Sequence, residues 1–146
     1  MSNVLKVLVL CTGNSCRSQI AHGYLRELSN GKLDVYSAGL TPKGVHPRAI
    51  QIMMEDRIDI STHTSNDLRE YLGHQFDYII TVCDNAAEQC PVFPGNASKL
   101  HWPFSDPAHA TGTESEILQE FRTVRDQIKT RCKSWIATLN LSGSVA

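Results

Sequence analysis

The sequence predicts a single-domain α/β protein, a three-layer sandwich in which a four-stranded parallel sheet carries helices on both faces. Three observations predict this class. Short β-rich runs alternate with segments of helical periodicity along the chain. A turn rich in cysteine, glycine and serine follows the first apolar run directly, and 146 residues suffice for one substantial core. We therefore expect one domain over residues 1–146, with the ligand at the carboxyl ends of the strands.

The first half of the chain predicts two strands and two helices. The apolar run Val4 to Leu10 predicts a buried strand, and the segment after Ser18 predicts an amphipathic helix. Leu33 to Ser37 predicts the second strand, and Pro47 suits the first position of a following helix. The side chains expected to face the core from these two helices are Ile20, Ala21, Tyr24, Leu25, Leu28, Ala49, Ile50, Met53 and Met54.

The second half predicts two strands and two further helices. A short helix from Asn66 to Leu72 precedes a central strand from Phe76 to Val82. A last short strand is expected near Lys99 to His101, and a long helix from about Glu114 to Leu139. The inward stripe of that helix, at helical spacing, is Ile117, Leu118, Phe121, Val124, Ile128, Cys132, Trp135, Ile136 and Leu139.

The turn from Cys11 to Ser18 places a cysteine, five intervening residues and an arginine between a strand and a helix. Backbone N–H groups of such a turn, with the dipole of the following helix, bind an oxyanion. Arg17 can bind two oxygens of a tetrahedral anion, and the positive potential favours the attacking thiolate form of Cys11. We therefore predict a phosphate-binding loop after the first strand, supported by Thr12, Gly13, Asn14, Ser15, Cys16 and Ser18.

Three residues of this loop have more specific expectations. Gly13 allows the backbone to turn tightly and approach the ligand, and Ser18 can donate a hydrogen bond to the sulfur of Cys11. Cys16 is equally consistent with a space-filling thiol and with a participant. Taken alone, a cysteine and an arginine at this spacing are a weak pattern, which an ordinary strand-turn-helix connection can also contain.

A second pair of thiols, Cys83 and Cys90, follows the predicted central strand. Seven residues are nearly two turns of a regular helix, which separates the thiols by about 10 Å along its axis. A disulfide needs Cα atoms within about 7 Å, so the segment would have to unwind to form one. The pair is therefore interpreted as a redox switch, with two half-buried structural cysteines as the alternative. The spacing does not fit zinc, and we predict no metal site.

Asp106-Pro107 presents a carboxyl group on a stiff turn, because proline restricts its own backbone and that of the preceding residue. Such a group, opposite the thiolate of Cys11, can protonate an oxygen that leaves the bound anion. Alone, the dipeptide indicates only a turn. The predicted anion loop, which needs a proton donor, supports the catalytic interpretation.

Composition limits the class of protein. Net charge is −1, from 14 basic and 15 acidic residues, so no nucleic-acid or membrane-surface partner is expected. The sequence shows neither a signal-like start nor an apolar run of transmembrane length. Five cysteines, an odd number, favour thiol chemistry over a permanent disulfide framework. These features predict a cytoplasmic enzyme. We also expect a monomer, although composition and charge do not determine the oligomeric state.

Together the motifs resemble the low-molecular-weight tyrosine phosphatase fold family, and more closely the thioredoxin-coupled arsenate reductases that share this fold. The resemblance covers about Val4 to Leu139, nearly the whole chain. It depends first on Cys11 to Gln19. The other segments that carry it are Val35-Tyr36-Ser37-Ala38-Gly39, Asp59-Ile60-Ser61, His63-Thr64-Ser65, Thr81-Val82-Cys83, Cys90-Pro91, His101-Trp102 and Asp106-Pro107.

The resemblance implies that arsenate is reduced to arsenite by a thiol relay. In that relay Cys11 attacks arsenate held by Arg17 and the loop amides, while Asp106 protonates the leaving oxygen. Cys83 then attacks Cys11 and releases arsenite, and Cys90 attacks Cys83, so that the intervening segment loops out and exposes a Cys83–Cys90 disulfide to thioredoxin. Glutaredoxin with glutathione is an alternative donor. Phosphate is the expected competing anion, and an external thiol reductant is the only other requirement.

Two other functions stay open. A low-molecular-weight phosphotyrosine phosphatase would use Cys11, Arg17 and Asp106 through a phosphocysteine and its hydrolysis. However, Ala108 follows Asp106-Pro107, where such phosphatases usually carry an aromatic residue, and that reaction needs no second thiol. A thiol-based redox sensor would explain the cysteine pair and leave the anion loop without a role.

The resemblance also raises the question of a potassium site. Family members that bind potassium near the loop carry a glutamate in the helix that follows it. The matching residue here is His22, and an imidazole is a poor potassium ligand, so we do not expect that site. Asn14 and Ser37 can still brace the loop by hydrogen bonds.

Overall fold

The computed structural model describes residues 4–139 and 141, so residues 1–3, 140 and 142–146 of the predicted domain lie outside it. One parallel sheet is formed by β1 (Leu5–Cys11), β2 (Leu33–Gly39), β3 (Tyr78–Thr81) and β4 (Ser98–His101), in the order β2-β1-β3-β4. The α-helices are α1 (Arg17–Leu28), α2 (Pro47–Glu55), α3 (Asp84–Glu88) and α4 (Glu114–Leu139). The predicted four-stranded parallel sheet is confirmed.

Strand β1 lies between β2 and β3, and its last five residues are buried. A continuous apolar run is typical of a parallel strand that is covered on both faces. Cys11 ends β1 and is aligned with Gly39, the last residue of β2, while Leu10 is aligned with Thr81, the last residue of β3. The loops that follow β1 and β3 therefore begin at the same edge of the sheet.

Two adjacent residues of β2 show that both faces of the sheet are covered. The hydroxyl of Ser37 lies 2.9 Å from Nδ1 of His22 in α1. The ring of Tyr36 packs edge-on against Tyr71, which ends a 3-10 helix, with 5.6 Å between the ring centroids. Because consecutive side chains of a strand point to opposite faces, α1 and the 3-10 helix lie on opposite sides. Helix α4 packs against α1 and α2.

Three predicted elements differ from the structure. The helix expected over 66–72 is a single 3-10 turn, Leu68–Tyr71, which a capping box of Asp67 and Glu70 begins. The central strand covers residues 78–81 rather than 76–82. In α2, Met54 is 49% exposed, whereas Ile52 is fully buried. The spacing of apolar residues in α2 permits both faces, and contact with α4 selects the one that contains Ile52.

None of the helices in the described residues is long and apolar enough to cross a bilayer.

Candidate active site

The backbone of the anion loop is shaped by Asn14 and Gly39. Asn14 adopts a φ of +47°, a left-handed conformation that asparagine tolerates better than most residues. A Cβ on Gly39 would lie 2.7 Å from the carbonyl oxygen of Thr12, so only glycine fits where the loop crosses the end of β2. Gly13 has no positive φ, and a Cβ there would make ordinary contacts. The tight turn predicted for Gly13 therefore depends on Asn14 instead.

Two hydrogen-bond donors face the buried sulfur of Cys11. The backbone N–H of Asn14 donates to Sγ at 3.2 Å, and the hydroxyl oxygen of Ser18 lies 3.0 Å from Sγ. Because Ser18 Oγ accepts a hydrogen bond from Asn14 Nδ2 at 2.7 Å, its own proton is available to the sulfur. The two donors therefore hold the sulfur of Cys11 in a fixed position at the base of the loop.

The loop is braced from outside by three residues to which the sequence analysis gave no role. Asn66 donates its backbone N–H to Asn14 Oδ1 at 2.8 Å, and the Ser65 hydroxyl donates to the Asn14 carbonyl at 2.9 Å. Gln19 Nε2 donates to the same carbonyl at 3.1 Å. The hydroxyl of Ser37 faces His22 and not the loop, so of the two predicted braces only Asn14 has this role. Gln19 lies directly after the motif and Ser65 lies in a segment that carried the resemblance, so the sequence contained a signal for these two residues. It contained none for Asn66 as a brace of the loop.

Helix α1 begins in the loop with free amide groups. Its N-cap, Cys16, makes no side-chain capping bond, and the first turn contains no acidic residue. The first N–H groups and the positive end of the helix dipole are therefore available to an anion. Cys16 is buried, and burial raises its pKa to about 12. A thiol that stays neutral is a poor nucleophile, which favours the space-filling role.

Arg17 and Asp106 lie together at the side of the loop. Arg17 Nη1 donates to the carbonyl oxygen of Phe104 at 3.1 Å, and Nη2 lies 3.4 Å from Asp106 Oδ2. The other carboxylate oxygen, Oδ1, accepts the backbone N–H of Ala108 at 3.0 Å, which fixes the orientation of the carboxyl group. Cys11, Arg17 and Asp106 line one pocket of about 490 Å³. The fold therefore brings the three predicted residues to one cavity.

The wall of this pocket carries no Phe, Tyr or Trp in the described part of the chain. Ala108 and His109 follow Asp106-Pro107 and form one side, and Val45 and His46 contribute to the other. A larger cavity of about 930 Å³ lies between Trp102 and α4, and no cysteine lines it. The smaller pocket therefore contains the three predicted catalytic residues, Cys11, Arg17 and Asp106. Its walls suit a small anion better than an aromatic ester.

Cys83 lies beside the loop. Its Sγ is 3.3 Å from the hydroxyl oxygen of Thr12, the residue that follows the predicted nucleophile. Cys83 also caps α3, because its sulfur accepts the backbone N–H of Ala86 at 3.4 Å. The end of β3 thus delivers a second, buried thiol to the immediate surroundings of Cys11.

Cys83 and Cys90 do not share a regular helix, so the separation of about 10 Å along a helix axis does not apply to them. Helix α3 has five residues, Cys83 precedes its first turn, and Cys90 follows its C-cap Gln89. Pro91 prevents continuation of the helix, and only Ala86 of α3 is buried. Cys90 is half-buried, and its burial raises the pKa of the thiol. The five cysteines are all free thiols in this structure.

Comparison with known proteins places this arrangement in a family. The family model for low molecular weight phosphotyrosine protein phosphatases matches residues 6–144. The chain belongs to this family. An arsenate reductase of Halalkalibacterium halodurans is 45% identical over 132 residues, covering 90% of this chain and 95% of that protein. The resemblance predicted from the motifs is therefore confirmed.

Solved structures of the phosphatase family agree with this assignment. An arsenate reductase in a phosphate-binding state has a TM-score of 0.79 and 36% identity, covering 92% of this chain and 98% of that one. An arsenate reductase in an oxidised state also has a TM-score of 0.79, with 34% identity and coverage of 96% and 100%. Both similarities cover nearly the whole of each chain.

His22, at which we expected no potassium site, packs against a second histidine, His63. Burial lowers the pKa of His22 to about 3 and that of His63 to about 4, and their ring centroids are 4.4 Å apart. Gln19 Oε1 lies 2.9 Å from His63 Nδ1, and Ser37 Oγ is held by His22. Hard cations require several oxygen ligands. Neutral imidazoles and an engaged hydroxyl do not fit potassium.

The low pKa of His22 predicts an acid-sensitive fold. An unfolded histidine has a pKa near 6.5, so below that pH the unfolded chain binds a proton that the folded chain excludes. The free energy of unfolding should therefore fall as the pH drops from 7 to 5, by up to about 2 kcal/mol for this residue. Urea denaturation of wild type and His22→Gln checks this, since the variant should lose less stability.

His109→Gln is the matched control, because the side chain of His109 is 84% exposed. This variant should show the same pH dependence as wild type. An equal loss of stability in wild type and His22→Gln would contradict the assignment.

Proposed function

We propose that the chain reduces arsenate to arsenite, with Cys11 as the nucleophile. The observation that carries this proposal is the sulfur of Cys11 at the base of an anion loop, facing the Asn14 amide and the Ser18 hydroxyl. The arsenate reductases at 45% and 36% identity support the choice of anion. Phosphate, which has the same shape and charge, is the expected competitor.

The first step is a substitution at arsenic. The loop amides and Arg17 bind the oxygens of arsenate, and the Cys11 thiolate forms a sulfur–arsenic bond while one arsenic–oxygen bond breaks. Asp106 gives its proton to the leaving oxygen, which departs as water.

The second step transfers two electrons to arsenic. Cys83 attacks the sulfur of Cys11, a disulfide forms between them, and the electron pair of the sulfur–arsenic bond leaves with arsenic as arsenite. The 3.3 Å contact between Cys83 and Thr12 supports this role, because it places the attacking thiol next to the loop. Cys90 then attacks Cys83, which moves the disulfide to Cys83–Cys90 and frees Cys11 as a thiolate.

The relay requires the segment between Cys83 and Cys90 to rearrange. Helix α3 is short, and five of the seven residues from Asp84 to Cys90 are exposed, so little buried apolar surface opposes its unwinding. Unwinding also exposes Cys90 and so relieves the burial that raises the pKa of its thiol. We propose thioredoxin as the reductant of the Cys83–Cys90 disulfide, acting on a monomeric enzyme in the cytoplasm.

Arsenate turnover tests this function. The protein with arsenate, thioredoxin, thioredoxin reductase and NADPH should consume NADPH, and mass spectrometry without reductase should find a Cys83–Cys90 disulfide. Glutaredoxin with glutathione is the parallel reaction and should be slower. Replacing potassium by sodium in the buffer should not change the rate. Absence of arsenate-dependent NADPH consumption with either donor would contradict the proposal.

Hydrolysis of phosphate esters is a second candidate activity. The family model favours it, and the trio of Cys11, Arg17 and Asp106 would also serve a phosphocysteine pathway. In the described residues, the pocket wall includes no Phe, Tyr or Trp ring against which an aromatic ester could stack. We therefore propose hydrolysis of small aryl phosphates only as a side activity.

The Asp106→Asn variant should slow both activities, because an amide cannot supply the proton to the leaving oxygen. General acid catalysis typically contributes about 10²- to 10⁴-fold in rate. The decrease should be largest for aryl phosphates with poor leaving groups, as measured over a series of phenols of increasing pKa. His109→Gln, beside the same carboxylate, is the control and should retain the leaving-group dependence of wild type. Equal rates for Asp106→Asn and wild type across the series would show that Asp106 is not the general acid and only forms part of a turn.

A further inference from the structure

The charges in the anion pocket are not balanced by Arg17 alone. Near neutral pH arsenate and phosphate carry between one and two negative charges, and a thiolate at Cys11 adds another. Arg17 supplies one positive charge, and its guanidinium is shared with the Phe104 carbonyl and the Asp106 carboxylate. Electrostatic stabilisation of such an anion improves with a second cation close to the loop.

Two histidines also line the pocket, and the ring of each is engaged by another group. Nδ1 of His46 accepts the backbone N–H of Arg48 at 3.1 Å, so this nitrogen carries no proton and the ring is neutral. Burial also lowers the pKa of His46. His109 is 84% exposed, and its Nε2 lies 3.6 Å from the carboxylate of Asp106. Its imidazole therefore faces the carboxylate at the pocket rim.

Lys43 is the remaining cation at this pocket. Its backbone N–H donates to the Gly13 carbonyl at 2.9 Å, which ties the lysine to the loop. A Cβ built on Gly13 would lie 3.4 Å from Cδ of Lys43, so the aliphatic stem runs against the loop backbone. Lys43 lines the same cavity as Cys11 and Arg17. Among the described residues, no carboxylate is paired with its ammonium group.

We infer that Lys43 is the second cation for the bound oxyanion, with its ammonium group on the outer oxygens that Arg17 does not bind. This role makes Lys43 a specificity-determining residue that favours a doubly charged inorganic oxyanion. It rests on the proposed function for the identity of the substrate, although the binding of phosphate can be tested separately.

Protection of Cys11 from iodoacetamide by inorganic phosphate tests the inference. Alkylation at Cys11 is followed by mass spectrometry while the phosphate concentration is raised. In Lys43→Gln, half-protection should require about three- to tenfold more phosphate than in wild type, as expected for loss of one partly solvated charge. Lys43→Arg should restore most of the protection. Lys133→Gln, on the exposed side of α4, is the matched control and should behave as wild type.

Arsenate kinetics provide a second readout. Lys43→Gln should raise KM for arsenate by a similar factor with kcat within about twofold of wild type, and should weaken the salt dependence of kcat/KM. Equal protection and equal KM in wild type and Lys43→Gln would overturn the role of Lys43 and leave the proposed function standing. Absence of phosphate protection in wild type itself would overturn the anion pocket, and with it both proposals.

Discussion

Replacement of Cys11 by serine is expected to reduce arsenate reduction and aryl-phosphate hydrolysis to background. The sulfur of Cys11 is the only thiol that both the Asn14 amide and the Ser18 hydroxyl face among the described residues. A serine hydroxyl at this position stays protonated at neutral pH and cannot attack as an anion. Both activities are measured on purified protein, with arsenate and thioredoxin for one and a small aryl phosphate for the other.

Cys132→Ala is the control for Cys11→Ser. Cys132 is fully buried in α4, away from the pocket, and its burial raises the pKa of the thiol. This variant removes a thiol without touching the loop and should retain both activities, at some cost in stability. Near-wild-type turnover in Cys11→Ser would remove the proposed nucleophile.

Replacement of Cys83 by serine should separate the two activities. Without the second thiol, arsenic on Cys11 cannot be released as arsenite by disulfide formation, so multiple-turnover arsenate reduction should fall to background. Hydrolysis of a small aryl phosphate needs only the loop, Arg17 and Asp106, and should stay within a few-fold of wild type. Serine can also replace the sulfur as the cap of α3, so the local fold should persist.

The informative comparison for Cys83→Ser is between the two rates in one preparation. Circular dichroism should show the wild-type spectrum, and mass spectrometry should find neither a Cys11–Cys83 nor a Cys83–Cys90 disulfide after exposure to arsenate. If both activities fell together while the fold was intact, the division of roles between Cys11 and Cys83 would be wrong. If arsenate reduction continued, Cys90 would have to attack Cys11 directly.

Local patterns in the sequence determined most of the sheet and the long helix. The strand ending in Cys11 and the helix over Glu114–Leu139 were predicted within one residue, because each depends on a long run of one periodicity. The cysteine-to-arginine loop was also visible, because consecutive residues carry its chemistry. Cys83 could be placed near the loop, since the carboxyl ends of parallel strands meet at one edge. Asp106 was placed there because the predicted anion loop needs a proton donor.

Tertiary contacts decided the parts of the site that depend on residues far apart in the chain. Asn66 and Ser65 donate hydrogen bonds to the loop, and Gly39 leaves room for the loop to cross the end of β2. The backbone of Lys43 donates to the Gly13 carbonyl. No local sequence pattern encodes these contacts. A periodic pattern specifies which face of a segment is apolar. Only packing against the other segments specifies what that face meets.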